Sequence, residues 1–275
     1  PPYIRMAADS QYNDAGGFHR WWLGDNYRAV WAAPLDFPVL DLSKDKGGLR
    51  STERGGGMQN KSLRLEDSKG EEWALRSLKK DPRNALPEEF RETFARDVVQ
   101  DQISASNPYA PPVVAALAES AGVPHSNPAF VYLPKDTSLG IYESDFGGDV
   151  YLLEEREPVK DKTKNTEKTL AQLQGDNDNS VDQEKVLHAR LLDMLVGDWD
   201  RHDDQWRWGV VKNKEDKSQR FYPIPRDRDQ AFFVSDGVLP WIASRKWLMP
   251  KFQGFSDHFR DINGFNFNAR YFDRS

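Results

Sequence analysis

The chain has 275 residues, 44 acidic against 38 basic side chains, a net charge of −6 and no cysteine. That length suffices for one large domain or two lobes with a real core, and no internal repeat points to a solenoid. The acidic balance disfavours wholesale nucleic-acid binding, which draws on surplus Lys and Arg. The lack of Cys removes disulfides and thiolate metal sites, and no apolar run reaches the ~18 residues of a membrane span. The sequence opens Pro1-Pro2-Tyr3 with no signal peptide, which reads as a piece of a longer chain with room for further domains. Its compartment stays open, an extracytoplasmic one included.

Residues 1–45 are rich in aromatics (Tyr12, Phe18, Trp21, Trp22, Trp31, Phe37) and read as an arm packed on the main body, because such rings bury large areas. An aromatic platform for carbohydrate is the sharper alternative. Residues 46–157 follow with Gly55-Gly56-Gly57-Met58-Gln59-Asn60-Lys61, then alternating apolar runs at Ser62–Leu65, Trp73–Leu78, Ala129–Leu133, Leu139–Tyr142 and Val150–Leu153. These runs predict a five-stranded antiparallel sheet. The glycine run is either a flexible hairpin tip or a loop whose backbone N–H groups approach phosphate, since no Cβ keeps a ligand away.

Between the second and third runs, 87–106 reads as a helix with Pro87 in its first turn, and 112–121 as another ended by Gly122. At about 100° per residue, Asp97 and Asp101 fall on the same arc as Phe90, Phe94 and Val98. A carboxylate on an apolar face needs a cation, and Arg76 or Lys79 on the preceding strand is the expected partner, with Lys80 just beyond.

Residues 158–275 begin with a charged stretch, 159–179, that reads as a mobile insertion or a short exposed helix. Ser180-Val181-Asp182-Gln183 fits a capping box, and the helix it starts delivers Gly197-Asp198-Trp199-Asp200-Arg201-His202-Asp203-Asp204-Gln205. Trp206, Trp208 and Val210 alternate as a strand, a polar turn follows, and Phe221–Ile224 returns to Arg226-Asp227-Arg228-Asp229. A hairpin there sets Asp227 or Asp229 beside Asp200 and Gln205, a hard-oxygen group suited to Mg²⁺ or Mn²⁺ carrying phosphate. The apolar residues Trp241, Trp247, Leu248, Phe252 and Phe255 are expected to complete the large lobe.

The order helix, Asp200-Arg201-His202, Gln205, hairpin, Asp227 resembles the catalytic half of atypical kinases: phosphoinositide kinases, HipA-type and CotH kinases and the secretory-pathway casein kinases. The resemblance implies an α+β, two-lobed kinase-like fold, with a small lobe of antiparallel sheet and helix and a mainly helical large lobe. It implies an ATP- and Mg²⁺- or Mn²⁺-dependent phosphotransferase of open acceptor. In it Asp200 orients the acceptor hydroxyl, and Asp227 (or Asp229) and Gln205 hold metal. Gly56, Gly57, Gln59 and Lys61 cover the phosphates, and Arg76 (or Lys79) contacts them while paired to Asp101. Backbone at Leu153 and Glu154 takes the adenine edge. The sequence departs from those families at Gln205, where Asn is commonest, and in Arg76 and Asp101, where Lys and Glu are usual. Two alternatives stay open: a pseudokinase or nucleotide-binding interaction module, and a metal-dependent hydrolase using Asp198, Asp200, His202 and Asp203.

Overall fold

The structure is a computed structural model that describes residues 1–56, 60–159 and 162–269. In chain order it contains β1 (Tyr3–Ala7), α1 (Gly17–Leu23), α2 (Arg28–Ala32), β2 (Pro34–Pro38), β3 (Leu49–Gly55), β4 (Asn60–Asp67) and β5 (Glu72–Lys80). Next come α3 (Phe94–Gln102), α4 (Ala110–Ser120), β6 (Ala129–Leu133), α5 (Glu143–Phe146) and β7 (Asp149–Glu155). The second half adds β8 (Lys164–Asn165), α6 (Thr166–Gly175), β9 (Ser180–Val181), α7 (Gln183–Val196), β10 (Trp206–Lys212), β11 (Gln219–Pro225), α8 (Val238–Ala243) and α9 (Ile262–Phe265). The class is α+β. The chain divides into two compact units, Pro1–Pro108 with Asn127–Arg156, and Tyr109–Ser126 with the described residues from Glu157 onward. Among the described residues no helix is long and apolar enough to cross a membrane.

The first unit is built on an antiparallel sheet of order β3-β4-β5-β7-β6. Alternation along β4 puts Leu63 and Leu65 inside, where they meet Leu75, Leu133, Tyr151 and Leu153 from neighbouring strands. Each such side chain contributes roughly 1.5–3 kcal/mol when fully buried. The N-terminal segment belongs to this unit: Leu40 and Leu42 enter its core, and the Leu40 amide donates to the Tyr132 carbonyl at 2.9 Å. Trp31 is buried, its indole N–H donating to the Ser106 carbonyl at 2.9 Å, with Tyr12 edge-on at 5.3 Å. Phe18 and Trp21, by contrast, are exposed.

Three expectations change in this unit. Leu139–Tyr142 is not a strand but part of a 3-10 segment, Thr137–Tyr142, because Asp136 caps the Ser138 amide and Gly140 turns the backbone to φ +56°. The fifth strand is β3 instead. The helix expected from Pro87 begins later, at Phe94, after a single turn at Glu88–Phe90. Thr93 is its N-cap, its hydroxyl accepting from the Ala95 amide, and Phe94 faces solvent.

The third change is energetic. Asp101 does not pair with Arg76 or Lys79; it accepts both forks of the buried Arg28 guanidinium at 2.8 and 2.7 Å, and a contact from His19 Nε2 at 2.7 Å. The carboxylate does need a cation, but α1 and α2 of the N-terminal segment, rather than the sheet, supply it. Asp97 lies exposed beside Arg96, Lys79 meets Asp149 at 3.1 Å, and Arg76 meets Glu154 on the adjacent strand β7 at 2.7 Å.

The second unit joins a four-stranded sheet, order β8-β10-β11-β9, to α4, α6 and α7. Trp206, Trp208 and Phe221 from the hairpin pack with Val186, Ala189, Leu192 and Val196 of α7 and Val114 and Ala118 of α4. The cap of α7 is Asp182, accepting from the Lys185 amide, and not Ser180, which lies in β9. The charged stretch after Glu157 contains a regular helix, α6, capped by Asn165 and anchored by buried Thr166 and Thr169. Trp241, Trp247, Leu248 and Phe255 do not complete the core: all are exposed, because α8 and the turns after it present them outward. Phe252 does pack inward, edge-on to Trp199 at 4.8 Å.

Candidate functional site

The site of interest lies within the second unit, where α7 ends. Gly197 stops the helix in the left-handed conformation (φ +67°), its amide bonding back to the last turn. A Cβ there would sit 2.9 Å from the Phe255 ring, so the position rejects other residues on space as well as strain. The chain then enters the acidic loop, held by Trp199 against Phe233 and Phe252, and by the Thr166 hydroxyl donating to the Asp203 carbonyl at 2.7 Å.

Beneath the loop is a buried ionic network. Arg201 is 1% exposed. It donates through Nε and Nη2 to Asp193 at 3.1 Å each, through Nη2 to Asp198 at 2.8 Å, and through Nη1 to the carbonyls of Gln205 at 3.1 Å and Arg226 at 2.6 Å. Arg190 and Arg228 complete the ring around Asp193, the former at 2.6 Å. Lysine lacks the planar fork needed to serve four partners at once. One guanidinium therefore fastens the loop after α7 to the loop after the hairpin.

The hairpin pairs Trp206 with Pro225, and the Arg226 amide donates to the Gln205 carbonyl at 2.8 Å. Gln205 and Asp227 are thus brought together at its mouth. Asp227 stands at φ +55°, a left-handed conformation uncommon for a non-glycine residue. The Phe232 amide, donating to the Val196 carbonyl at 2.7 Å, closes this second loop back onto α7. The Asp200 carboxylate is contacted at both oxygens by carboxamides: Asn268 Nδ2 reaches Oδ1 at 2.6 Å, and Gln205 Nε2 reaches Oδ2 at 3.5 Å. Gln205 Oε1 faces Arg201 at 3.3 Å, so its carboxamide spans the buried cation and Asp200.

Electrostatics tie the four carboxylates into one group. Burial, opposed by Arg201 and reinforced by Asp229, Asp200 and Asp227, pushes the Asp198 carboxyl up to about 7. Its Oδ1 is a buried oxygen without a hydrogen-bond donor. Because the folded form binds this proton more tightly than the unfolded chain, whose carboxyl titrates near ~3.9, the group contributes stability at low pH that is lost as pH rises from about 4 to about 7. The neutral isostere Asp198→Asn should remove that loss. The difference in thermal midpoint, variant minus wild type, is expected to grow over that window and level off above it, and a constant difference across the window would mean the carboxyl titrates normally.

No three His, Asp or Glu side chains among the described residues stand close enough together to hold a metal by themselves. The donors present are hard oxygens on Asp227, Asp229 and Asp200, and a Mg²⁺ ion ordinarily takes only one or two carboxylates when phosphate oxygens and water fill its octahedron. Among the described residues these donors do not form an all-protein metal cage. The hydrolase ligand set is not gathered: Asp198 faces Arg201 and Arg228, and His202 Nδ1 accepts from the Asp204 amide at 3.3 Å as the cap of a turn.

The other expected site residues lie in the first unit. Gly56 stands at φ +130°, where a Cβ would run into the Asn60 carbonyl oxygen, so the position requires glycine; Gly57 and Gln59 fall outside the described residues. The Lys61 amide donates to Ser77 Oγ at 3.0 Å. Leu153 is paired on both sides, to Leu75 and Ala129, and Glu154 carries the ion pair to Arg76. Comparison of the chain with protein-family models, curated proteins and solved structures returns no match.

Proposed function

We propose that the chain is a kinase-like phosphotransferase, in which the five-stranded unit corresponds to the small lobe and the α7–hairpin unit to the large lobe of atypical kinases. The observation that carries this reading is the junction of the Asp200 loop and the Asp227 loop on the buried guanidinium of Arg201. It gives one carboxylate held by carboxamides beside another set on a strained backbone. In this reading Asp200 receives the proton of an acceptor hydroxyl as that oxygen bonds to the γ-phosphorus of ATP. The bond from phosphorus to the β,γ-bridging oxygen breaks, and ADP leaves with the electron pair. Asp227, or Asp229, would hold Mg²⁺ or Mn²⁺, which when bound supplies positive charge to the phosphate oxygens. Gln205, expected as a second metal ligand, reaches Asp200 through Nε2 at 3.5 Å and faces Arg201 through Oε1.

The test is calorimetry with ATP and Mg²⁺. Asp227→Ala should abolish metal-dependent nucleotide binding while the thermal midpoint stays within a few degrees of wild type. Binding that survives in Asp227→Ala and is lost in Asp229→Ala would move the metal ligand two residues on. A wild type that binds ATP but transfers nothing to itself, to water or to a broad acceptor panel is instead a nucleotide-binding interaction module.

A further inference from the structure

Asn268 of the C-terminal segment reaches the Asp200 carboxylate of the acidic loop from 68 positions away in sequence. The segment is fastened on both sides of that residue. Asp261 caps α9 by accepting from the Asn263 and Gly264 amides at 3.1 and 3.2 Å, and Phe265 is buried, with Phe259 at 4.7 Å and the Arg190 guanidinium 5.6 Å from its ring centre. Arg190 Nη2 donates to Asn266 Oδ1 at 2.6 Å. On the far side Ala269 is buried, and its amide donates to the Asn266 carbonyl at 3.1 Å.

We infer that Asn268 is a positioning residue of the phosphotransferase site: its Nδ2 fixes the rotation of the Asp200 carboxylate, so that the C-terminal segment completes the site. This rests on the reading of Asp200 given above. The physical argument is one of orientation. A carboxylate on a loop turns about its own χ angles, and catalysis by an oriented group falls by about two orders of magnitude for a displacement of about 1 Å. The Asn268 contact, at 2.6 Å, is the shorter of the two carboxamide contacts, that of Gln205 being 3.5 Å. Asn268 occupies one lone pair of Oδ1, and each carboxylate oxygen accepts more than one hydrogen bond. The same Arg190 bonds Asn266 and Asp193, so the segment that carries Asn268 is anchored to the network beneath the loop that carries Asp200.

Asn268→Ala should lower kcat by about 10- to 100-fold with the KM for nucleotide within about twofold of wild type, since the residue acts on an oriented group and not on ATP binding. Asn268→Asp should be worse than alanine, because it sets a second carboxylate against Asp200. In an Asp200→Asn background the Asn268→Ala change should have no further effect, the signature of one residue acting through the other. Turnover in Asn268→Ala equal to or above wild type overturns the inference alone. A wild type without any phosphoryl transfer overturns both the function proposed above and the catalytic role of Asn268. In that case the Asn268 side-chain amide resonances still read the contact: downfield and slow to exchange in wild type, and shifted to solvent values in Asp200→Ala.

Discussion

Asp193→Ala should destabilise the second unit by about 3–5 kcal/mol, the loss typical of breaking a buried ion pair by removing one partner. Asp193 is fully buried and answers Arg190, Arg201 and Arg228 together, so its removal leaves three guanidiniums around a hole, with Asp198 still in contact with Arg201 and Arg228. The Asp198 carboxyl is a poor substitute: burial and its acidic neighbours already favour its neutral form. Asp257→Ala, at a carboxylate 91% exposed, should change stability by less than about 0.5 kcal/mol and serves as the control. The measurement is the denaturant midpoint by tryptophan fluorescence, to which Trp199, Trp206 and Trp208 report from the same unit. An Asp193→Ala variant as stable as the control would mean that apolar packing of α7 on the hairpin, and not the ionic network, holds the two loops together.

That network decides how a site so rich in like charge keeps a fixed geometry. Four carboxylates on two loops repel one another, and each loop by itself is a short turn with little core of its own. Arg201 counters both problems: its charge offsets the carboxylates, and its Nη1 bonds to two carbonyls hold the backbones of Gln205 and Arg226 in place. Arg226 precedes Asp227, so the guanidinium is one residue from the strained backbone at φ +55°. The strain is sustained because the preceding residue is tied at its amide and its carbonyl.

How much of this was legible depended on the range of the interaction. The bond from the Arg226 amide to the Gln205 carbonyl follows from local pattern: the period-2 run Trp206, Trp208, Val210 and its return at Phe221–Ile224 close a hairpin whose mouth brings the flanking residues together. The partner of Asp101 was not legible, because the burial argument asks for a cation without naming one. Arg28, 73 positions upstream, does not stand out among the chain's other basic residues. Asn268 gave no signal at all, since a polar residue in an aromatic-rich tail has no periodicity to place it. Leu139–Tyr142 misled for a different reason: four apolar residues suit a strand or a turn of helix equally, and the deciding cues were Asp136 as a cap and the positive φ of Gly140. The aromatics from Trp241 to Phe255 show that composition counts apolar side chains without saying which way they face, and Trp247 is 73% exposed.

Asp200→Asn should lower turnover by about 10²–10⁴-fold while leaving ATP and Mg²⁺ affinity near wild type, because a group that receives the acceptor's proton acts on the transfer step and not on the bound ground state. The substitution keeps shape and hydrogen-bonding capacity: an asparagine at 200 still offers an oxygen to Asn268 Nδ2, so the loop should keep its path and the thermal midpoint should move little. That separation of stability from turnover distinguishes the roles open to this carboxylate. A residue that only pinned the loop would tolerate asparagine in both respects. A metal ligand would lose metal affinity together with activity, as expected of Asp227. Autophosphorylation or slow ATP hydrolysis suffices to report turnover, so the acceptor need not be known. Full activity in Asp200→Asn would remove Asp200 from the transfer step, and with it the reason to read the Arg201-fastened loops as a phosphotransferase site.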